Sequence, residues 1–328
     1  MKQVTILIPK GHTSMVNIAG THQMFSFVNE ILGQQGKAPL FHIQLAAGER
    51  SMMQTNGLFS IHADLLVKDI KKTDLIIIPA IHGDFSVNLK NNADLIPWII
   101  KQYHAGAEIV SLCVGSFFLA STGLLDGKNC STHWQYANEF RKLFPKALLM
   151  DDKILTEADG IYTSGGAYSF TNLIIYLIEK FAGRDMAILV SKGFMIDLDR
   201  DSQSPFTIFS GQKNHKDTDI LKAQDYIEKN FQEKLSIDSL CEHMALSRRT
   251  FERRFKKATA NTIWEYLQRV KVEAAKKELE MGKKTVNEVM YKVGYTDPKA
   301  FRDVFRKITN MTPMDYLHKY SAQMTPTF

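Results

Sequence analysis

Two stretches of this 328-residue chain, about fifty residues apart, repeat one pattern: a short apolar-faced helix, a tight turn, then a helix with phenylalanines at i and i+4. In the first stretch Ser236 caps a helix carrying Ile237, Leu240 and Met244, and Ala245–Leu246 make the turn. Ser247 is expected to cap the next helix by accepting a backbone N–H bond. Phe251 and Phe255 share a face of that helix and point inward. Arg248, Arg249, Thr250, Glu252, Arg253, Lys256 and Lys257 are left facing out. In the second stretch Thr285 and Glu288 form a capping box, and Val286, Val289, Met290 and Val293 form the apolar face. Gly294–Tyr295 make the turn, and Asp297–Pro298 open the last helix. Phe301 and Phe305 repeat the aromatic pair, with Lys299, Arg302, Asp303 and Arg306 among the exposed positions. Between the copies a capping box, Thr262 and Glu265, starts a long helix from Ile263 to about Met281, which Gly282 can end. No convincing strand follows Asp219, so this third of the chain reads as all-α.

A short helix set after a tight turn, anchored by aromatics and facing outward with arginines, can lie in a DNA major groove. Charge supports that reading. Residues 217–328 hold 21 Lys+Arg against 16 Asp+Glu, while the first 216 hold 20 against 19, so nearly all of the net +6 sits in the helical third. The guanidinium fork suits both guanine edges and phosphates. The expected partner is double-stranded DNA.

These residues resemble the AraC/XylS family of transcriptional regulators over residues ~220–320, through LSRRTFERRFKK, RVKVEAAKKEL and GYTDPKAFRDVFRKITNMTPMDY. The resemblance implies base contacts from Arg249, Thr250, Glu252 and Arg253 in the first unit, and from Lys299, Ala300 and Asp303 in the second. The chain departs from the family in three places. Asn310 replaces the usual glycine, and asparagine also tolerates a left-handed turn. Leu317 follows Tyr316 where the family often has arginine, and Asp303 stands where a basic residue is common.

The first two-thirds alternate strand and helix signals. Val4–Ile8, Phe41–Ala46, Asp74–Ile78, Ile109–Cys113 and Ile161–Thr163 read as buried strands. Asn17–Leu32, closed by Gly33, with Leu95–His104, Gly115–Thr122 and Phe170–Phe181, read as helices. This implies an α/β fold, a parallel sheet between helical layers. The domains are expected at 1–200 and 219–320. Residues 201–218, polar and without helical period, would be the linker and the first place a protease cuts.

Cys113 ends a strand just before a helix, an elbow expected to expose its thiol and favour thiolate. His133 follows twenty residues on, in STHW. With TSGGAYSFTNL these features resemble the ThiJ/PfpI branch of the class I glutamine amidotransferase-like superfamily over residues ~1–195, a resemblance that implies a flavodoxin-like, amidotransferase-like three-layer sandwich with the parallel sheet in the middle. Joined to an AraC-type module, the combination resembles the GlxA-type group of regulators. Cysteine chemistry in that superfamily also needs an acid after the first strand, and Val16 stands in its place. Cys113 and His133 are therefore vestigial catalytic candidates, and no enzyme activity is expected. Ligands in open parallel sheets sit beyond the carboxyl ends of the strands. The expected ligand-binding rim is His12, His82, Gly83, Cys113, Val114, His133 and Gly165, lined for a small polar effector. Two alternatives stand beside the regulator: an active Cys-dependent amidase- or glyoxalase-like enzyme, or a thiol-oxidation sensor, each with a DNA-binding tail.

Three cysteines in no framework spacing point to a reducing, cytoplasmic setting, with Cys130 and Cys241 in packing roles. The apolar run in MKQVTILIPKG is too short for a signal peptide, and no stretch is long enough to span a membrane. No metal and no cofactor are expected. The family resemblance alone implies a homodimer.

Overall fold

The apolar N-terminal run forms the strand Lys2–Ile8, which lies inside a seven-stranded sheet. The order is Leu155–Ala158, Ile161–Ser164, Glu108–Ser111, Leu75–Ile78, Lys2–Ile8, Phe41–Ala47, Leu65–Leu66. The first pair is antiparallel and all the others are parallel. The computed structural model describes residues 1–49, 51–54, 59–198, 201–213 and 215–321. The chain divides into two units, Met1–Gln203 and Ser204–Phe328.

Alternation along the strands builds two cores. Val4, Ile6, Leu75, Ile77 and Val110 pack with α1 (Met15–Gln34), α6 (Phe170–Ala182) and α7 (Arg184–Gly193). Leu7, Ile76, Ile78 and Ile109 pack with the opposite layer. That layer holds α2 (Phe85–Asn91), α3 (Ile96–His104), α4 (Gly115–Ser121) and α5 (Ala137–Leu143). A strand covered on both faces must be apolar throughout. Thr5 is the buried exception; it donates to the Thr73 hydroxyl at 2.8 Å and accepts from the Gln44 amide at 2.9 Å. The first helix runs through Gly33 to Gln34 rather than closing at the glycine. Cys113 lies beyond its strand, which ends at Ser111.

The second unit is helical: α8 (Thr218–Asn230), α9 (Ile237–Met244), α10 (Arg248–Thr259), α11 (Ile263–Glu280), α12 (Val286–Lys292), α13 (Pro298–Thr309) and α14 (Pro313–Tyr320). The long helix α11 serves two cores. Ile263, Tyr266, Leu267 and Val270 pack with Phe251 and Phe255, and Val272, Ala275 and Leu279 with Phe301 and Phe305. Both expected capping boxes at α11 and α12 are present. Ser247 departs from expectation: its hydroxyl makes no cap bond and instead donates to the Thr250 hydroxyl at 3.0 Å.

The segment expected to link the units is held at both ends. Ser202 and Gln203 bond to the Asp152 carbonyl and neighbouring backbone in the first unit. In the second unit the Phe209 N–H donates to Glu273, and Lys213 pairs with Asp225 and Glu228. Residues 199, 200 and 214 lie outside the described residues.

Candidate DNA-reading surface and sensor pocket

The two helix-turn-helix units are near copies in geometry. The ring centroids of Phe251 and Phe255 are 5.7 Å apart, those of Phe301 and Phe305 5.8 Å. α10 and α13 are each twelve residues long and end in left-handed caps, Ala260 at φ 59° and Asn310 at φ 58°. Asn310 thus takes the left-handed conformation expected for it. The turn of the second unit is fixed by contact: a Cβ on Gly294 would sit 2.2 Å from the Gln232 carbonyl oxygen. That turn's carbonyl also accepts from the Lys271 ammonium at 3.1 Å, which lies 5.1 Å from the Tyr295 ring centre. Burial pushes the Lys271 ammonium below its usual range. Close packing and one buried cation therefore set the second unit against α11.

On α10, Arg249, Glu252, Arg253, Lys256 and Lys257 are exposed and Thr250 is partly covered. Arg248 is exposed but engaged, to Glu252 at 3.1 Å and Asp238 at 3.4 Å. Arg254 is turned to structure: it grips Asp217 through two nitrogens at 2.9 and 2.5 Å and reaches Asp219 at 2.9 Å. The pairing holds the Asp217 carboxyl below its ordinary value. Among the described residues Arg249, Arg253, Lys256 and Lys257 make no ion pair, though Lys256 helps hold the Glu265 carboxyl below its ordinary value. On α13, Lys299, Arg302, Asp303 and Arg306 are exposed. Arg302 donates to the Pro298 carbonyl at 3.2 Å.

Sequence reasoning passed over Trp264. It is 54% exposed and lines a cavity of about 870 Å3 with Arg249, Arg253, Lys256 and Lys257. The second unit has its counterpart, of about 610 Å3, lined by Arg302, Pro313 and Met314. An exposed tryptophan just after a capping box was the available signal.

In the first unit Cys113 is the non-glycine residue at the elbow with φ 55°. Its N–H donates to the Ser164 hydroxyl at 3.1 Å, and its carbonyl accepts from Ser116 at 3.1 Å. The next helix presses close: a Cβ on Gly115 would lie 2.7 Å from the Pro79 carbonyl oxygen and 2.8 Å from that of Ile78. The elbow does not expose its thiol. Cys113 is 2% exposed, and burial pushes the thiol up to about 12, so the expected thiolate is corrected to a buried thiol. Val114 is equally buried; hydrogen bonding from its backbone opposes that shift only partly. Cys130 is buried and likewise raised to about 12, and Cys241 is raised as well.

Val16, in the acid's place, is a half-exposed aliphatic. Its neighbour Asn17 is buried and accepts the Ala80 N–H at 3.1 Å. His12 and His82 are paired across a short antiparallel bridge, with ring centroids 5.7 Å apart and Gly83 following. Burial and then His12 hold His82 below the usual imidazole value; burial and then His82 do the same for His133. His82 and His133 therefore favour the neutral form. His133 Nδ1 accepts from the Gln135 N–H at 3.2 Å.

Gly165 is not an open rim position. A Cβ there would meet the Gln203 side chain at 2.8 Å. Gln203, which sequence reasoning put in the linker, is 2% exposed. Its Oε1 accepts from the N–H groups of Trp134 at 3.2 Å and Gly166 at 3.1 Å. Its Nε2 faces the carbonyls of Thr132, Asp151 and Lys153 at 2.9, 2.8 and 3.2 Å. One amide thus ties three loops beside His133. No periodicity or motif marks such a residue in a sequence.

Among the described residues no helix is long and apolar enough to cross a membrane, and no cluster has the makings of a metal site.

The chain is similar to the HTH-type transcriptional regulators GbdR and CdhR of Pseudomonas aeruginosa. It is 22% identical to GbdR over 92% of this chain and 80% of that protein. To CdhR it is 25% identical, over 80% and 77%. The first unit shares its fold with an AraC family transcriptional regulator from Pseudomonas putida, at a TM-score of 0.51 and 16% identity, covering 59% of this chain and all of that one. A helix-turn-helix domain model matches residues 240–319, and the DJ-1/PfpI family model matches residues 4–180. The chain belongs to the DJ-1/PfpI family and carries a helix-turn-helix domain behind it.

Proposed function

We propose that this protein is a sequence-specific DNA-binding transcriptional regulator whose DJ-1/PfpI unit, residues ~1–200, answers a small polar effector. The observation that carries the reading is the duplicated unit: two reading helices in the same setting on one long helix, with cations outside any ion pair on the exposed face of the first. α11 is 18 residues long, about 27 Å at 1.5 Å per residue. A span of that order suits two successive major grooves, about 34 Å apart. One chain would then cover an asymmetric site of about 15–20 base pairs.

The effector's seat is the imidazole cluster of His12, His82 and His133 with the Gly83 turn, in which His82 and His133 are held toward the neutral form. Neutral imidazoles both donate and accept hydrogen bonds, which fits a polar, uncharged or anionic small molecule. Catalysis is not part of the proposal. A thiol raised to about 12, with valine in the acid's place, lacks an activated nucleophile. Dimerisation through the first unit belongs to the same reading. The test is binding of the full chain to a random duplex library, with and without a pool of cell metabolites. Enrichment of one sequence, altered by the pool, supports the proposal. Binding that never distinguishes one duplex from another would remove it.

A further inference from the structure

The two reading helices agree in their anchors and differ at the middle of their outward faces. Because α10 and α13 begin one residue after their N-caps, Ser247 and Asp297, and have equal length, each position in α10 stands where the residue fifty further on stands in α13. The outward stripe at four-residue spacing is Arg249, Arg253, Lys257 in the first and Lys299, Asp303, Lys307 in the second. All six are exposed. The ends are cationic in both helices; only the centre changes sign. Lys299 and Lys307 flank Asp303 at the spacing where helical ion pairs form. Among the described residues Asp303 nevertheless makes no ion pair and no hydrogen bond.

We infer that Asp303 is a specificity-determining residue that selects cytosine in the second major groove, an inference that rests on the DNA-binding reading above. A carboxylate placed between two phosphate strands is repelled by both. A stripe that only gripped phosphate would gain from a cation there. The anion is favourable where the groove floor offers a hydrogen-bond donor. In the major groove those donors are cytosine N4 and adenine N6. Adenine sets its N7 acceptor beside N6, where a carboxylate cannot donate; cytosine presents its donor alone. Arg253 holds the matching place in α10, and its fork fits guanine O6 and N7. One chain would therefore read a guanine in one groove and a cytosine about ten base pairs away.

The experiment is selection of duplexes from a random library by the full chain and by Asp303→Asn and Arg253→Ala, at one salt concentration. The wild type should enrich a guanine and a cytosine about one helical turn apart. Arg253→Ala should lose only the guanine. Asp303→Asn should change only the cytosine position, and change it to adenine, because an amide pairs with adenine N6 and N7 together. In competition, replacing that cytosine should weaken wild-type binding about tenfold. Enrichment of the guanine with no cytosine a turn away overturns the inference alone. So does a cytosine that survives Asp303→Asn, or a variant that binds all duplexes more tightly with preferences unchanged. Enrichment of no sequence at all overturns the regulator reading together with it.

Discussion

Thr259 and Thr309, fifty residues apart, make the same two bonds. Each hydroxyl donates to the carbonyl four residues earlier, Phe255 or Phe305, at 2.8 Å, and each accepts the N–H two residues later, Asn261 or Met311, at 3.2 Å. Both are 1% exposed, at the point where the reading helix turns back. Replacing either by valine keeps the shape and strands an N–H that is buried at Asn261 and partly buried at Met311. Each variant should lose about 1–3 kcal/mol of stability in denaturant unfolding. The two losses should be of similar size, because the bonds are the same; a large difference would deny the equivalence of the two helix-turn-helix copies.

Gln203 predicts a second, larger effect. Alanine there removes one amide from five backbone partners and leaves a hole against Gly165. The first unit should be destabilised by about 2–4 kcal/mol. Thermal unfolding followed by a probe in that unit reads the loss, and the second unit should melt unchanged. A variant as stable as wild type would mean the loops hold themselves.

The Cys113 thiol should be slow to react. Buried and raised to about 12, it carries little thiolate at neutral pH. Labelling by a maleimide at pH 7.5 should be far slower in the native chain than after unfolding, and Cys113→Ala should bind DNA as wild type does. Rapid labelling or peroxide oxidation of native Cys113 would favour a thiol sensor.

The imidazoles set the pH response of the first unit. His82 and His133 have folded values below the unfolded one, so the unfolded chain binds more protons as pH falls toward and below about 6.5. Stability should hold above that pH and decline below it. Glutamine at both positions should flatten the decline, and unfolding midpoints between pH 7.5 and 5.5 measure it.

Much of this was legible in the residues, for stated reasons. The aromatic pairs at Phe251/Phe255 and Phe301/Phe305 show because an i,i+4 period is local, and the capping boxes show because they are contained within four residues. Strand identity showed at Val4–Ile8 because burial on both faces demands an unbroken apolar run. What stayed hidden depends on partners distant in sequence. Arg254 has no role in the sequence pattern until Asp217 and Asp219 are seen beside it. Cys113 reads as reactive until the layers that close over it are in place. Gln203 reads as linker because its partners lie 37 to 71 residues away.

The comparison of Arg253→Ala with Lys257→Ala in a salt-titrated binding series tests most directly whether α10 reads DNA. Arg253 sits at the centre of the outward stripe and Lys257 at its end. On the selected duplex Arg253→Ala should cost about 1–3 kcal/mol and relax preference at one or two positions. Lys257→Ala should weaken specific and random DNA alike and lower the salt slope by about one. Two variants that cannot be told apart, or that leave binding unchanged, would contradict the placement of α10 in the groove.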